Sequence, residues 1–186
     1  MLDKTMQKLR FIKYFMKPFS FCVALIFMAN YAANYIHLTH NITPSLPLGY
    51  YLTFPWEINR GTYIICLDDS KKEYLEVMAQ LGLQPNNQCK NGYLSIMKTI
   101  VGIPGDLVEI TENGVSINSV IIPNSKAMKK YHSLSLLPIE SGYQHTLSHD
   151  EYWVQGSIRN SYDSRYFGVI TKDEIKNKAV MILQED

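Results

Sequence analysis

Ser45 lies between Pro44 and Pro47 in the stretch NITPSLPLGYYLTFP, residues 41–55, and reads either as an ordinary linker serine or as a hydroxyl presented for nucleophilic chemistry. Each proline fixes its own φ and biases the residue before it toward extended backbone, so Thr43 and Ser45 are presented rather than left to wander. A hydroxyl is a poor nucleophile at neutral pH and needs a base. His37, His40, His132, His145 and His149 stand in no motif and read as surface residues. Lysine is the other base, but only when uncharged. Its pKa must then fall from about 10.4 to near 7, which costs about 4 kcal/mol that burial must impose. SIMKTIVGIPGD, residues 95–106, supplies a lysine in such a setting. Side chains alternate along a strand, so Lys98 shares a face with Ile96 and Ile100 while Met97, Thr99 and Val101 take the other. Such a lysine either snorkels to solvent or is held desolvated for use, and the residues alone leave both open.

The elements that must position these groups read as strands. Residues 50–54, 62–67 and 94–101 are β-branched or aromatic runs bounded by Gly, Pro, Asn and Asp. LVEITENGVSINSVII, residues 107–122, alternates apolar with polar on both sides of Asn113-Gly114, a strong hairpin signal. Residues 152–155 and 179–183 read as two more strands. Helical signals are few: KKEYLEVMAQLGL at 71–83 has apolar spacing and reaches Gly82 near its end, and TKDEIKNK at 171–178 could start a short helix capped by Thr171. The expected body is therefore mainly β. Cys66 and Cys89 lie within it, 23 positions apart, and Cys22 precedes it. A disulfide and two free thiols both remain open, while a metal pair lacks the accompanying Cys-x-x-Cys or histidine cluster.

The N-terminal region reads as an anchor. Residues 18–38 contain no Asp, Glu, Lys or Arg, and as a helix would extend roughly 31 Å, enough to span a bilayer. Lys4, Lys8, Arg10, Lys13 and Lys17 precede it with only Asp3 opposing, which keeps residues 1–17 in the cytoplasm and sends residues 39–186 across. Tyr31 and Tyr35 suit an aromatic belt at the exit. With 18 Lys+Arg against 17 Asp+Glu and no long basic run after the first twenty residues, nothing resembles the footprint of a nucleic-acid binder.

TPSLP at 43–47, RGTYII at 60–65, IMKTIVGIPGD at 96–106 and GSIRNSYDSRYFG at 156–168 occur in the order of the sequence boxes of the signal peptidase I family of membrane-anchored serine–lysine proteases. The chain resembles that family over nearly the whole region after the anchor, with 120–150 showing little of it, and is most similar to the TraF type of conjugative-transfer peptidase. The resemblance implies a signal-peptidase-like β-rich catalytic domain at the cytoplasmic membrane, single-pass, with the domain on the periplasmic side and no cofactor or metal. It implies Ser45 as nucleophile, Lys98 as general base, and Thr43 with the Ser45 N–H as oxyanion hole. Ser161 then orients the lysine, Asp163 and Arg165 buttress the site, and Gly102, Pro104, Gly105 and Asp106 form a structural turn. The resemblance also implies a Cys66–Cys89 disulfide. Thr99 stands where many family members carry arginine, which removes the usual partner of the acid at 163. The implied partners are membrane lipid and an exported precursor, a pilin or another secreted component, bound as an added strand beside Leu94, Ser95, Ile96 and Met97. A non-catalytic scaffold of the same fold, a housekeeping signal peptidase and a self-cleaving repressor are the rival readings.

Overall fold

A computed structural model of the chain describes residues 2–82 and 88–185, with side chains from residue 17 onward except at 31. Leu83, the predicted end of one helix, lies outside the described residues, as do the side chains of Asp3, Lys4, Lys8, Arg10, Lys13 and Tyr31. The chain forms two compact units, Met1–His37 and Leu38–Asp186.

The first unit is the helix α1 (Leu2–Tyr35), which continues through Pro18. It presents Phe19, Phe21, Ile26, Phe27 and Met28 to its surroundings. The expected bilayer-spanning helix over 18–38 is corrected in one respect: among the described residues, no helix is long and apolar enough to cross a membrane. Asn30 and Asn34 interrupt the apolar run, each donating its amide to the carbonyl four residues back, and the helix ends at Tyr35.

In the second unit, the proline-bracketed stretch proves to be the connection between two strands, β1 (His37–Asn41) and β2 (Gly49–Phe54). β3 (Gly61–Ile65) leads through a 3-10 turn at Asp69–Lys71 into α2 (Lys72–Gln80), and the chain returns as β4 (Ile96–Gly102). A meander follows: β5 (Leu107–Thr111), β6 (Gly114–Ile117) and β7 (Val120–Ile121). The first of its turns is Glu112-Asn113, one residue earlier than expected. The second is Asn118-Ser119, with φ of 51° and 67°, the left-handed pair that a two-residue hairpin loop demands. Then come β8 (Lys130–Tyr131), β9 (Leu134–Ser135), β10 (Gln144–Thr146), β11 (Glu151–Gln155), α3 (Ser164–Phe167), β12 (Ile170–Thr171) and β13 (Ile175–Gln184). The helix expected over 171–178 is replaced by a single 3-10 turn, Lys172–Glu174, in a Thr171–Glu174 capping box. Ile175 and Ala179 are drawn into the core, and the chain from Ile175 onward pairs as a strand.

Seven strands form one sheet in the order β1-β2-β13-β3-β4-β11-β12, four form a second in the order β10-β5-β6-β7, and β8 pairs with β9. Antiparallel pairing aligns Tyr63 of β3 with Lys98 of β4. One face of β4 sends Ile96 and Ile100 into a core shared with Tyr63, Leu75, Met78, Val154, Tyr166 and Ile170; Met97 on the other packs with Leu46, Tyr51 and Ala179. The alternation expected for β4 is thus realised, with Lys98 on the face of the larger core. A separate cluster of Val108, Ile110, Val115, Ile117, Leu147 and Trp153 lies between the second sheet and β11.

Candidate active site

Ser45 occupies a turn of the β1–β2 connection and is half-buried. The loop is held from within by Asn41, at the end of β1 and 5% exposed. Its Nδ2 donates toward the carbonyls of Thr43, Pro47 and Leu46 at 3.1, 3.0 and 3.3 Å. Its Oδ1 accepts from Thr43 N at 3.2 Å and from Thr43 Oγ1 at 2.9 Å. Leu46 plugs into the small core beside Tyr51, and the Tyr51 hydroxyl donates to Pro47 O at 2.9 Å. From the opposite side, Ser157 N and Ser157 Oγ both donate to Ser45 O, at 2.7 and 3.1 Å.

Lys98 is 4% exposed. Burial drives its pKa down from 10.5 to about 8; Asp163 pulls it upward and Arg165 pushes it further down. Among the described residues its amine makes no hydrogen bond or ion pair, so the lysine has neither snorkelled out nor been neutralised by a carboxylate. Ser45, Lys98, Thr43 and Ser161 line one cleft of about 160 Å³, with Leu81, Leu136, Ile158 and Tyr162 among its apolar walls.

Ser161 is 1% exposed, and its Oγ has no hydrogen-bond partner among the described residues. It faces the chain at Gly156: a Cβ at that position would fall 2.1 Å from Ser161 Oγ and 2.8 Å from Ser45 O. Only glycine lets the β11 exit, Ser161 and the Ser45 loop come so close. Behind this contact lies a buried pair. Arg165 Nε and Nη2 bind the two Asp163 carboxylate oxygens at 2.7 and 2.8 Å, and Asp163 also accepts from Gly156 N at 2.9 Å. Arg165 gathers the carbonyls of Asn124, Arg159 and Ser161 at 3.2, 3.0 and 2.8 Å, which fixes the 157–161 loop. The missing arginine at position 99 is thereby explained: Asp163 takes its partner two residues along, while Thr99 Oγ1 meets Thr62 Oγ1 at 3.3 Å.

Other sequence-derived positions fall outside the cleft. Leu94 and Ser95 precede β4 rather than belonging to it. Ile96 and Met97 begin the strand, and the β11 ladder stops at Thr99↔Gln155, so that side of residues 96–98 carries no ladder partner among the described residues. Cys66 and Cys89 form the implied disulfide, with Cα atoms 5.6 Å apart. It joins the end of β3 to the segment leading into β4. Asp106 accepts from Ile103 N and Asn118 Nδ2, both at 2.8 Å, closing the turn after the lysine strand, and it also binds Arg60. Sequence reasoning missed Asn41, Gly156 and Ser157. The asparagine immediately before the TPSLP box was the available signal for the first, and the glycine and serine opening the GSIRNS box for the others.

A serine-bearing loop between two strands, a desolvated lysine on a neighbouring strand and a buried Asp–Arg pair behind them lie together on a β scaffold. Residues 10–184 match the family described as signal peptidase, peptidase S26, and the chain belongs to that family. It is similar to the plasmid transfer protein TraF of Escherichia coli, 28% identical over 144 residues that cover 73% of this chain and 76% of that one. It is also similar to the conjugal transfer protein TraF of Agrobacterium tumefaciens (strain 15955), 29% identical over 70% of this chain and 73% of that one. A probable signal peptidase I-2 of Synechocystis is 26% identical over 50% of this chain and 39% of its own length. Among solved structures, a signal peptidase I from Enterococcus faecalis V583 matches with a TM-score of 0.36 at 17% identity, over 66% of this chain and 97% of that one.

Proposed function

We propose that the chain is a serine endopeptidase that cuts exported precursor proteins, with Ser45 as nucleophile and Lys98 as general base. The observation that carries this reading is a buried lysine without a hydrogen-bond or ion-pair partner among the described residues, opening onto the same cleft as a proline-bracketed serine. Lys98 Nζ takes the Ser45 proton as Oγ bonds to the substrate carbonyl carbon. The resulting oxyanion accepts hydrogen bonds from the Ser45 N–H and the Thr43 hydroxyl; loss of one such donor typically costs about 3 kcal/mol of barrier. Collapse breaks the C–N bond, and Lys98 returns its proton to the departing amine. A water then gives a proton to Lys98 and attacks the ester, and collapse releases the acid and restores the Ser45 hydroxyl. Among the described residues Ser45 and Lys98 make no hydrogen bond to each other, and catalytic hydrogen bonds commonly tighten only in the complex with substrate. Ser161 Oγ, buried and without a partner among the described residues, lines the same cleft as Lys98 and would orient its amine, and the open side of residues 96–98 would receive the substrate as an added strand.

Membership of the signal peptidase family supports an exported substrate, and similarity to TraF proteins supports a role in conjugative transfer, with a pilin or another secretion component as the precursor. The exposed apolar side chains of α1 support attachment to the cytoplasmic membrane, with the second unit on the periplasmic side. Ser45→Ala and Lys98→Ala should each leave the protein folded and abolish processing of a co-expressed precursor. Mass spectrometry of the precursor accumulating in Ser45→Ala cells identifies the substrate, and the wild-type product shows whether the acyl-enzyme is resolved by water or by an amine to give a cyclic chain. Undiminished processing in cells carrying either variant would end the assignment of Ser45 and Lys98 as the catalytic pair.

A further inference from the structure

Asn41 has a chemical task that loop support alone does not require. Its Nδ2 faces three carbonyl oxygens, which can only accept, so the orientation of the carboxamide is fixed and Oδ1 must face Thr43. There it accepts two bonds, from Thr43 N and from Thr43 Oγ1. The hydroxyl hydrogen of Thr43, wanted at the oxyanion, is therefore engaged by Asn41 in the resting site. Rotating that hydrogen toward a forming oxyanion leaves Oδ1 still satisfied by Thr43 N–H, so no buried acceptor is orphaned. A neutral hydrogen bond is exchanged for a charge-assisted one, which is the stronger of the two.

We propose that Asn41 is a positioning residue for acylation: it templates the 43–47 loop and stores the Thr43 hydroxyl hydrogen until the oxyanion draws it away. The inference rests on the peptidase reading above. It makes Asn41 act largely through Thr43, so its contribution to acylation is greatest while Thr43 has a hydroxyl to release. A purely structural asparagine would contribute the same with or without that hydroxyl.

The test uses full-length protein in detergent and p-nitrophenyl acetate as acylating probe, with the p-nitrophenolate burst reporting transfer of the acetyl group to the enzyme. Asn41→Asp keeps the shape but replaces the donating amide by an acceptor facing three carbonyls. It should slow the burst about tenfold or more, as misplacement of a reacting group does, with half-saturation by the probe unchanged. Made in a Thr43→Val background, the same change should slow the burst less than about threefold, the non-additivity of two residues acting as one. If Asn41→Asp melts below assay temperature, Asn41→Ser is judged by the same two criteria. A wild-type rate in the Asn41 variant, or an equal loss in both backgrounds, overturns the proposal. A burst that persists in Ser45→Ala overturns the peptidase reading itself and is thus told apart.

Discussion

Lys98 gives up its proton more readily than an exposed lysine because water has been removed from around it. Its pKa is about 8 in the folded chain against 10.5 when solvated. Processing should therefore rise with pH along a limb centred near 8, read from initial rates between pH 6 and 10. The stability effect has the same cause. Between those two values the unfolded chain holds more protons, so stability rises with pH across that window; below it, both states are protonated and burial costs its full amount, about 3 kcal/mol. Lys98→Met should accordingly raise the urea midpoint at pH 7, and its advantage should fade as pH approaches 10.5. Asp163→Asn leaves the Arg165 guanidinium buried without its counter-charge, an expected loss of about 3–5 kcal/mol by urea titration. It also removes the charge that raises the Lys98 pKa, so the activity limb should move to lower pH. Ser45 and Lys98 could be singled out in the sequence because the sequence boxes around them carry the family resemblance, and the structure lines one cleft with both. Asn41 and Ser157 could not be, because they act on backbone carbonyls that only the folded loop brings within reach.

At the scale of elements, the strands were legible wherever one face is buried, since alternation survives in β2 and β4. It failed at 171–178, where polar spacing mimicked a helix while the burial of Ile175 and Ala179 favoured a strand. The small hairpin β8–β9 and the edge strands β10 and β12, two or three residues each, are too short to carry any period. The Cys66–Cys89 bridge closes a loop around α2, and replacing both cysteines by serine should cost about 3 kcal/mol by denaturant titration. A sharper probe of the joined elements is Gly156→Ala. Its added methyl collides with Ser161 and with the Ser45 carbonyl, so processing should be lost. Stability should fall by about 1–3 kcal/mol, as overpacking does.

For the whole molecule, the division at residue 37 separates the helix α1 from the β-rich unit. A chain lacking residues 1–37 should no longer sediment with membranes; if it still does, the attachment lies in the β domain. The sheet order has a consequence for timing. β13, the last strand described, lies between β2, which follows the nucleophile loop, and β3, which pairs with the lysine strand. Until residues 175–184 have been made and inserted, the half bearing the serine and the half bearing the amine are not seamed together. The cleft that Ser45 and Lys98 line is therefore complete only once this late strand has closed the sheet.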